Sequence, residues 1–359
     1  MPVVRWPKET ELLSLTLELA PIQDLILPEN YTTQIHSWFL DQVRRIDPTL
    51  SAYLHDGQSE KPFTISEING PTVLKGRSHE FAAERTYQWT VAALSHPVVA
   101  WMQQWLESPP TEINLRTGPF AIKGWSLAQP PTTYAQLLPT TLPDAIDLTL
   151  SFLSPTSFRR KGSHFPLPLP FNLFHSYLRR WNDFSGQPVD QDTFLNWIDE
   201  SVVMLRHQLR SQKVSVGKSG SVTGFTGAVQ FGLTRKSLQN TEFVQLFVAL
   251  GQLAPYCGTG HKTTFGLGQT RLGWLIDEPV AVSTTRETIL VQRIAELTDI
   301  FTAQRKRTGG DRAAAVAQTW ATILARRELG EGLEAIALDL KMPYETVKTY
   351  VKLACRALT

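Results

Sequence analysis

Apolar and polar residues alternate from Glu11 to Ala20 (ELLSLTLELA), the period-two pattern of a strand with one buried face. After a turn across 21–30 the period changes. Tyr31 to Arg45 brings Ile35, Trp38, Phe39 and Val43 to one side of a helix. His36 lies beside that face and reads as a packing or surface histidine. A short β-like stretch, PFTIS, ends at Ser66, and Arg85–Leu94 is an alternating strand. Pro97–Leu106 is an amphipathic helix, and Glu112–Leu127 returns to strand pattern with Gly118-Pro119 as a break. Thr132 to Pro143, rich in threonine and proline, reads as a linker.

The same plan then starts again. Asp147–Leu153 is a strand that runs into a basic turn, SPTSFRRKGSHF, and PLPLP stiffens the chain ahead of a helix over Phe171–Phe184. A further helix over Asp190–Leu209 grades into strand near Val203, a hairpin covers Lys213–Leu233, a helix covers Thr241–Leu253, and FGLGQTRLGWLI alternates as a last strand. Both halves therefore spell βαββαβ, the ferredoxin-like unit common among RNA-binding domains. The fold class expected is α+β: two tandem ferredoxin-like (RRM-like) domains, 1–130 and 145–284, and a small all-helical domain at 285–359.

Composition narrows the function. The chain has 359 residues, 42% hydrophobic and 19% charged, which is globular and excludes wholesale disorder. A net charge of +2 means that any nucleic-acid binding must come from local basic patches. Cys257 and Cys355 form neither a disulfide framework nor a metal pattern, and no His/Cys/Asp/Glu cluster has ligand spacing, so no metal or cofactor is expected. The N-terminus lacks a signal-peptide core and no run of about 18 apolar residues occurs, which points to a cytoplasmic protein without membrane association.

Candidate chemistry gathers at three places. GTGHKTTFGLG, from Gly258 to Gly268, brackets His261 and Lys262 with Gly258, Gly260, Gly266 and Gly268, and could offer backbone amides to a phosphate chain. It matches neither standard nucleotide loop, and a glycine-rich hairpin without a ligand reads equally well. His55 and Lys61 flank the polar loop DGQSE; an imidazole can move the proton of a 2′-hydroxyl or a 5′-oxygen, and an ammonium can neutralise charge growing on phosphate. Arg159, Arg160 and Lys161, between Phe158 and Phe165, form a basic cluster suited to backbone phosphates, and Lys218 could supply a second basic lip.

The segments DPTLSAYLH with KPFTIS, SPTSFRRKG and GTGHKTTFGLG resemble the CRISPR precursor-RNA-processing endoribonucleases of the repeat-associated (RAMP) superfamily, over roughly residues 10 to 275. The resemblance implies a repeat RNA bound in the cleft and cut without metal, leaving a 2′,3′-cyclic phosphate and a 5′-hydroxyl. It also implies His55 as the acid/base histidine and Lys61 as the charge-stabilising lysine, with His164 and His261 as further histidines of the cleft. Leu40 departs from the pattern, standing where archaeal members carry tyrosine. Partners implied are CRISPR repeat RNA and other subunits of an effector assembly; a non-catalytic RNA-binding subunit is the alternative.

The last 75 residues fall outside that resemblance. Arg286–Gln304 and Arg312–Arg327 are helical, and GLEAIALDL, KMPYE and TVKTYVKLACRAL form a helix-turn-helix pattern similar to those of sigma-factor and response-regulator modules. Thr346, Lys348, Thr349 and Lys352 would line its second helix, facing duplex nucleic acid or a docked protein. A second alternative is thus a transcriptional regulator. The turn lacks the glycine common there.

Overall fold

The computed structural model describes residues 5–55, 60–75, 78–142, 146–216, 220–276, 286–303 and 310–358. The chain divides into two compact units, 1–276 and 277–359. Lys218 of the expected basic lip lies outside the described residues.

The first half of the larger unit runs β1 (Leu12–Pro21), β2 (Leu25–Pro28), α1 (Thr32–Ile46), α2 (Pro48–His55), β3 (Phe63–Ile65), β4 (Val73–Lys75), β5 (Ser78–Phe81), β6 (Tyr87–Ala93), α3 (His96–Glu107), β7 (Glu112–Leu115) and β8 (Gly118–Thr132). Its antiparallel main sheet has the order β3-β6-β1-β8-β7, and β2-β5-β4 form a small second sheet. Alternation along β1 sorts two faces. Leu13, Leu15, Leu17 and Leu19 enter a core with Phe39 and Val43 of α1, Trp89 of β6 and Trp101 of α3. Ser14 and Thr16 are buried on the other face, where the Thr16 and Thr90 hydroxyls bond at 2.9 Å. Leu40 is a core residue, 3% exposed.

The second half runs α4 (Tyr134–Leu137), β9 (Asp147–Thr156), β10 (Phe158–Arg160), β11 (Ser163–Phe165), α5 (Pro170–Phe184), α6 (Gln191–Ser201), β12 (Val202–Val216), β13 (Gly220–Leu233), α7 (Thr241–Cys257) and β14 (Thr270–Leu272). The sheet order β12-β13-β9-β14 places two outer strands around the central pair, the antiparallel ferredoxin-like order repeated from the first half.

Four sequence expectations change. The 132–143 segment is no loose linker, because Thr133 and Gln136 make a capping box on α4 and Tyr134 is fully buried in the second core. The helix from Asp190 stops at Ser201, and the β-branched pair Val202-Val203 opens a 15-residue strand. The hairpin thus begins at Val202 rather than Lys213. After the glycine segment only Thr270–Leu272 is strand, because Thr263–Phe265 closes a 3-10 turn between left-handed residues.

The smaller unit holds α8 (Arg286–Ala303), α9 (Gly310–Glu328), α10 (Leu333–Asp339) and α11 (Tyr344–Leu358). Leu297, Phe301, Ala317, Ala321, Leu324 and Ala354 form one core; Ile323, Ile336, Ala337 and Val347 form another. Among the described residues no helix is long and apolar enough to cross a membrane.

Candidate functional site

The glycine segment is the joint between the two ferredoxin-like halves. Buried Arg180 of α5 donates to the Gly260 carbonyl at 3.0 Å and to the Thr263 hydroxyl at 3.3 Å, and the Ser176 hydroxyl accepts from the Gly260 amide at 2.9 Å. The Tyr177 and Thr259 hydroxyls bond at 2.6 Å. Residues 176, 177 and 180 share one face of a helix, so a single helical face holds the loop.

This geometry corrects the phosphate-cradle expectation for Gly258, Gly260 and Gly268. Their amides already donate to Ala254, Ser176 and Pro155. The reason for glycine is close approach: a Cβ on Gly260 would sit 2.3 Å from the Ser157 carbonyl, and one on Gly268 2.0 Å from that of Thr259. Gly266 likewise packs on Glu67. The helix end reaching the loop is the carboxyl end of α7, whose dipole repels anions. The loop's carbonyls at Gly260 and Thr264 accept from Arg180 and His36.

On one flank the loop meets α1. Nδ1 of His36 lies 2.8 Å from the Thr264 carbonyl. A carbonyl only accepts, so Nδ1 carries the proton and Nε2 keeps the lone pair. The imidazole stacks on Phe265 at 4.3 Å and, more distantly, on Phe63 at 5.9 Å. Burial pushes its pKa down; the Thr264 bond opposes this, and the charges of His55 and Lys61 lower it further. The neutral ring is thus favoured. His55 ends α2, and Lys61 precedes β3 with its Nζ buried and without a hydrogen-bond partner among the described residues. His36 thus feels the charge of both His55 and Lys61.

On the other flank lies the β10–β11 hairpin. Lys161 and Gly162 both have positive φ, the geometry of a tight two-residue turn. Arg159, Arg160 and Lys161 are exposed, and the Arg160 guanidinium sits over Phe165 at 5.4 Å. His164, opposite Arg159 in the ladder, stacks on His261 at 5.3 Å. His261 Nδ1 donates to the Ser157 carbonyl at 2.7 Å. Burial drives the His261 pKa down to about 4, aided by His164, Arg159 and Lys262. Lys262 is lowered by burial and Arg159.

Two features were not singled out in the sequence. Glu67, beside Gly266, has its carboxyl raised to about 7 by burial and by Glu29. The second is Arg180, which holds the glycine loop from α5. A separate cleft of about 810 Å³ lies along α1 and β7, lined by Gln34, Asp41, Arg45 and Arg116 among others, away from the histidine–lysine cluster.

Two ferredoxin-like domains joined by a glycine loop, with a basic hairpin on one flank and imidazoles with a lysine on the other, define a RAMP-fold protein of RNA metabolism. Residues 12–106 match the family model of the CRISPR Cas6 N-terminal domain, and residues 150–270 that of the CRISPR-associated endoribonuclease Cas6. The chain belongs to the Cas6 family. A Cas6 (TTHA0078) product complex is similar at 27% identity and TM-score 0.57, covering 73% of this chain and 99% of that one. A histidine-to-alanine mutant of the same Cas6 gives 26% and 0.56, over 74% and 99%. Thermus thermophilus Cas6 (TTHB231), at 23% and 0.55 over 74% and 99%, shares the fold. A comparison with curated proteins gives no match.

Proposed function

We propose that this protein cuts CRISPR repeat RNA by attack of the RNA's own 2′-hydroxyl, without a metal ion. His36 Nε2 takes the 2′-hydroxyl proton as the oxygen attacks phosphorus. The bond from phosphorus to the 5′-oxygen breaks, and His55 gives that oxygen a proton. Lys61 holds the charge on the pentacoordinate phosphate. The products are a 2′,3′-cyclic phosphate and a 5′-hydroxyl. Arg159, Arg160, Lys161 and Lys262 bind the backbone, and the paired rings of His164 and His261 offer a stacking surface.

The observation that carries this reading is Lys61. Its Nζ is buried and has no hydrogen-bond partner among the described residues; a cation so placed is costly, and an incoming phosphate relieves that cost. The solved product complex of a relative supports a reading in which repeat RNA is cut.

The test is cleavage of the cognate repeat RNA in EDTA, beside a matched RNA with one 2′-deoxy at the cut site. Cutting of the first alone, with a cyclic phosphate end by mass spectrometry, is expected. Tight binding without cutting would favour a non-catalytic repeat-RNA-binding subunit.

A further inference from the structure

Among the described residues, three that are not glycine have positive φ: Lys161, Lys262 and Lys341. Side chains avoid this region, and glycine or asparagine is the low-strain choice. A lysine there trades backbone comfort for the placement of an ammonium. The first two stand at the basic hairpin and the glycine loop, the surfaces assigned above to RNA. The third lies in the other unit.

Lys341 is the left-handed residue that ends α10. Met342 donates to the Ala337 carbonyl at 2.9 Å and Lys341 to that of Leu338 at 3.2 Å, the paired bonds of a Schellman ending, where glycine is usual. This accounts for the missing turn glycine. Four residues, 340–343, then lead into α11, a turn length typical of helix-turn-helix pairs.

The two faces of α11 differ. Val347 and Ala354 are buried, with Val347 packed against Ile336 and Ala337 of α10 and Ile323 of α9. Thr349, Lys352 and Arg356 are exposed, as is Lys341 at the turn. The acidic residue on α11, Glu345, pairs with Lys348 at 3.6 Å, and Arg326 binds both Glu331 and Asp339. The acidic groups nearest this face are thus largely neutralised. Lys348, expected to face nucleic acid, is turned to Glu345 and Tyr344.

We infer that α11 is a duplex-DNA-binding helix, lying in the major groove with Lys341 and Lys352 on flanking phosphates and Thr349 toward base edges. A helix about 10–12 Å across fits the roughly 12 Å major groove of B-form DNA, whereas the major groove of A-form RNA is too narrow to admit one. The family models end at residue 270, so this surface belongs to a part of the chain that cleavage in the relatives does not require.

The test uses the full chain and fluorescence anisotropy with a labelled duplex of about 30 base pairs at about 50 and 200 mM salt. The double variant Lys341→Gly, Lys352→Gln keeps the left-handed turn while removing both charges. Wild-type binding that weakens with salt is expected. The variant should bind at least about tenfold more weakly, with a salt slope smaller by about 2, while melting and cutting repeat RNA as wild type. Absence of duplex binding by wild type, an unchanged variant, or competition by repeat RNA at equal concentration would each overturn the inference.

Discussion

Replacing His36 by asparagine separates chemistry from architecture. The side-chain amide that results can still donate to the Thr264 carbonyl, which His36 contacts at 2.8 Å, but the lone pair of Nε2 is gone. Loss of ring stacking on Phe265 costs about 0.5–1.5 kcal/mol of stability, an amount the folded protein tolerates. Loss of a general base costs about 10² to 10⁴ in rate, roughly 2.7–5.5 kcal/mol in barrier. Single-turnover cleavage of repeat RNA, with enzyme in excess, should therefore fall by at least a hundredfold at near-wild-type affinity. The pH profile adds a second reading: because the His36 pKa is depressed, the acid limb of the wild-type profile, where the base is lost to protonation, should lie below about pH 6.5. A variant cutting within tenfold of wild type would return the base role to His55 and leave His36 a packing residue.

Changing Arg159, Arg160 and Lys161 together to alanine should weaken repeat-RNA binding, most visibly at high salt, and lower the salt slope by about 2; filter binding at three salt concentrations checks it, and an unchanged slope would place the RNA elsewhere. Gly260→Ala should cost about 2–4 kcal/mol in chemical denaturation, since its Cβ would press on the Ser157 carbonyl at φ +80; a wild-type midpoint would contradict the close-packing account. Glu67 is raised from 4.5 to about 7 on folding. The folded state then holds an extra proton in that window, so this contribution is full below 4.5 and declines as pH rises to 7. Glu67→Gln should remove the decline, gaining about 1–2 kcal/mol at about pH 8 after allowance for solvent screening and nothing at about pH 4; equal gains at both would refute the burial argument.

The ferredoxin-like halves were legible because strand and helix periods differ and β1 alternates cleanly. The helix-to-strand change was read near Val203, beside its place at Val202, but the helix end was left as far as Leu209, since Val203, Met204 and Leu205 satisfy either period over so short a run. His55 and Lys61 were singled out by chemistry and resemblance. His36 was passed over because its meaning lies in Thr264, distant in sequence, and no local pattern reports a contact of that separation. The glycines drew attention correctly but for another reason: sequence marks where backbone must come close, not whether the neighbour is a ligand or the protein itself.

The bond from His36 to Thr264 also sets a clock. The two residues are 228 positions apart, and at about 5–20 residues per second the ribosome needs roughly 10–45 s to pass from one to the other. During that interval the nascent chain carries His36, His55 and Lys61, but nothing fixes which imidazole nitrogen bears the proton. On the proposed mechanism, a chain broken off before residue 264 keeps His36 but loses the carbonyl that orients its ring, so its base would be unpositioned.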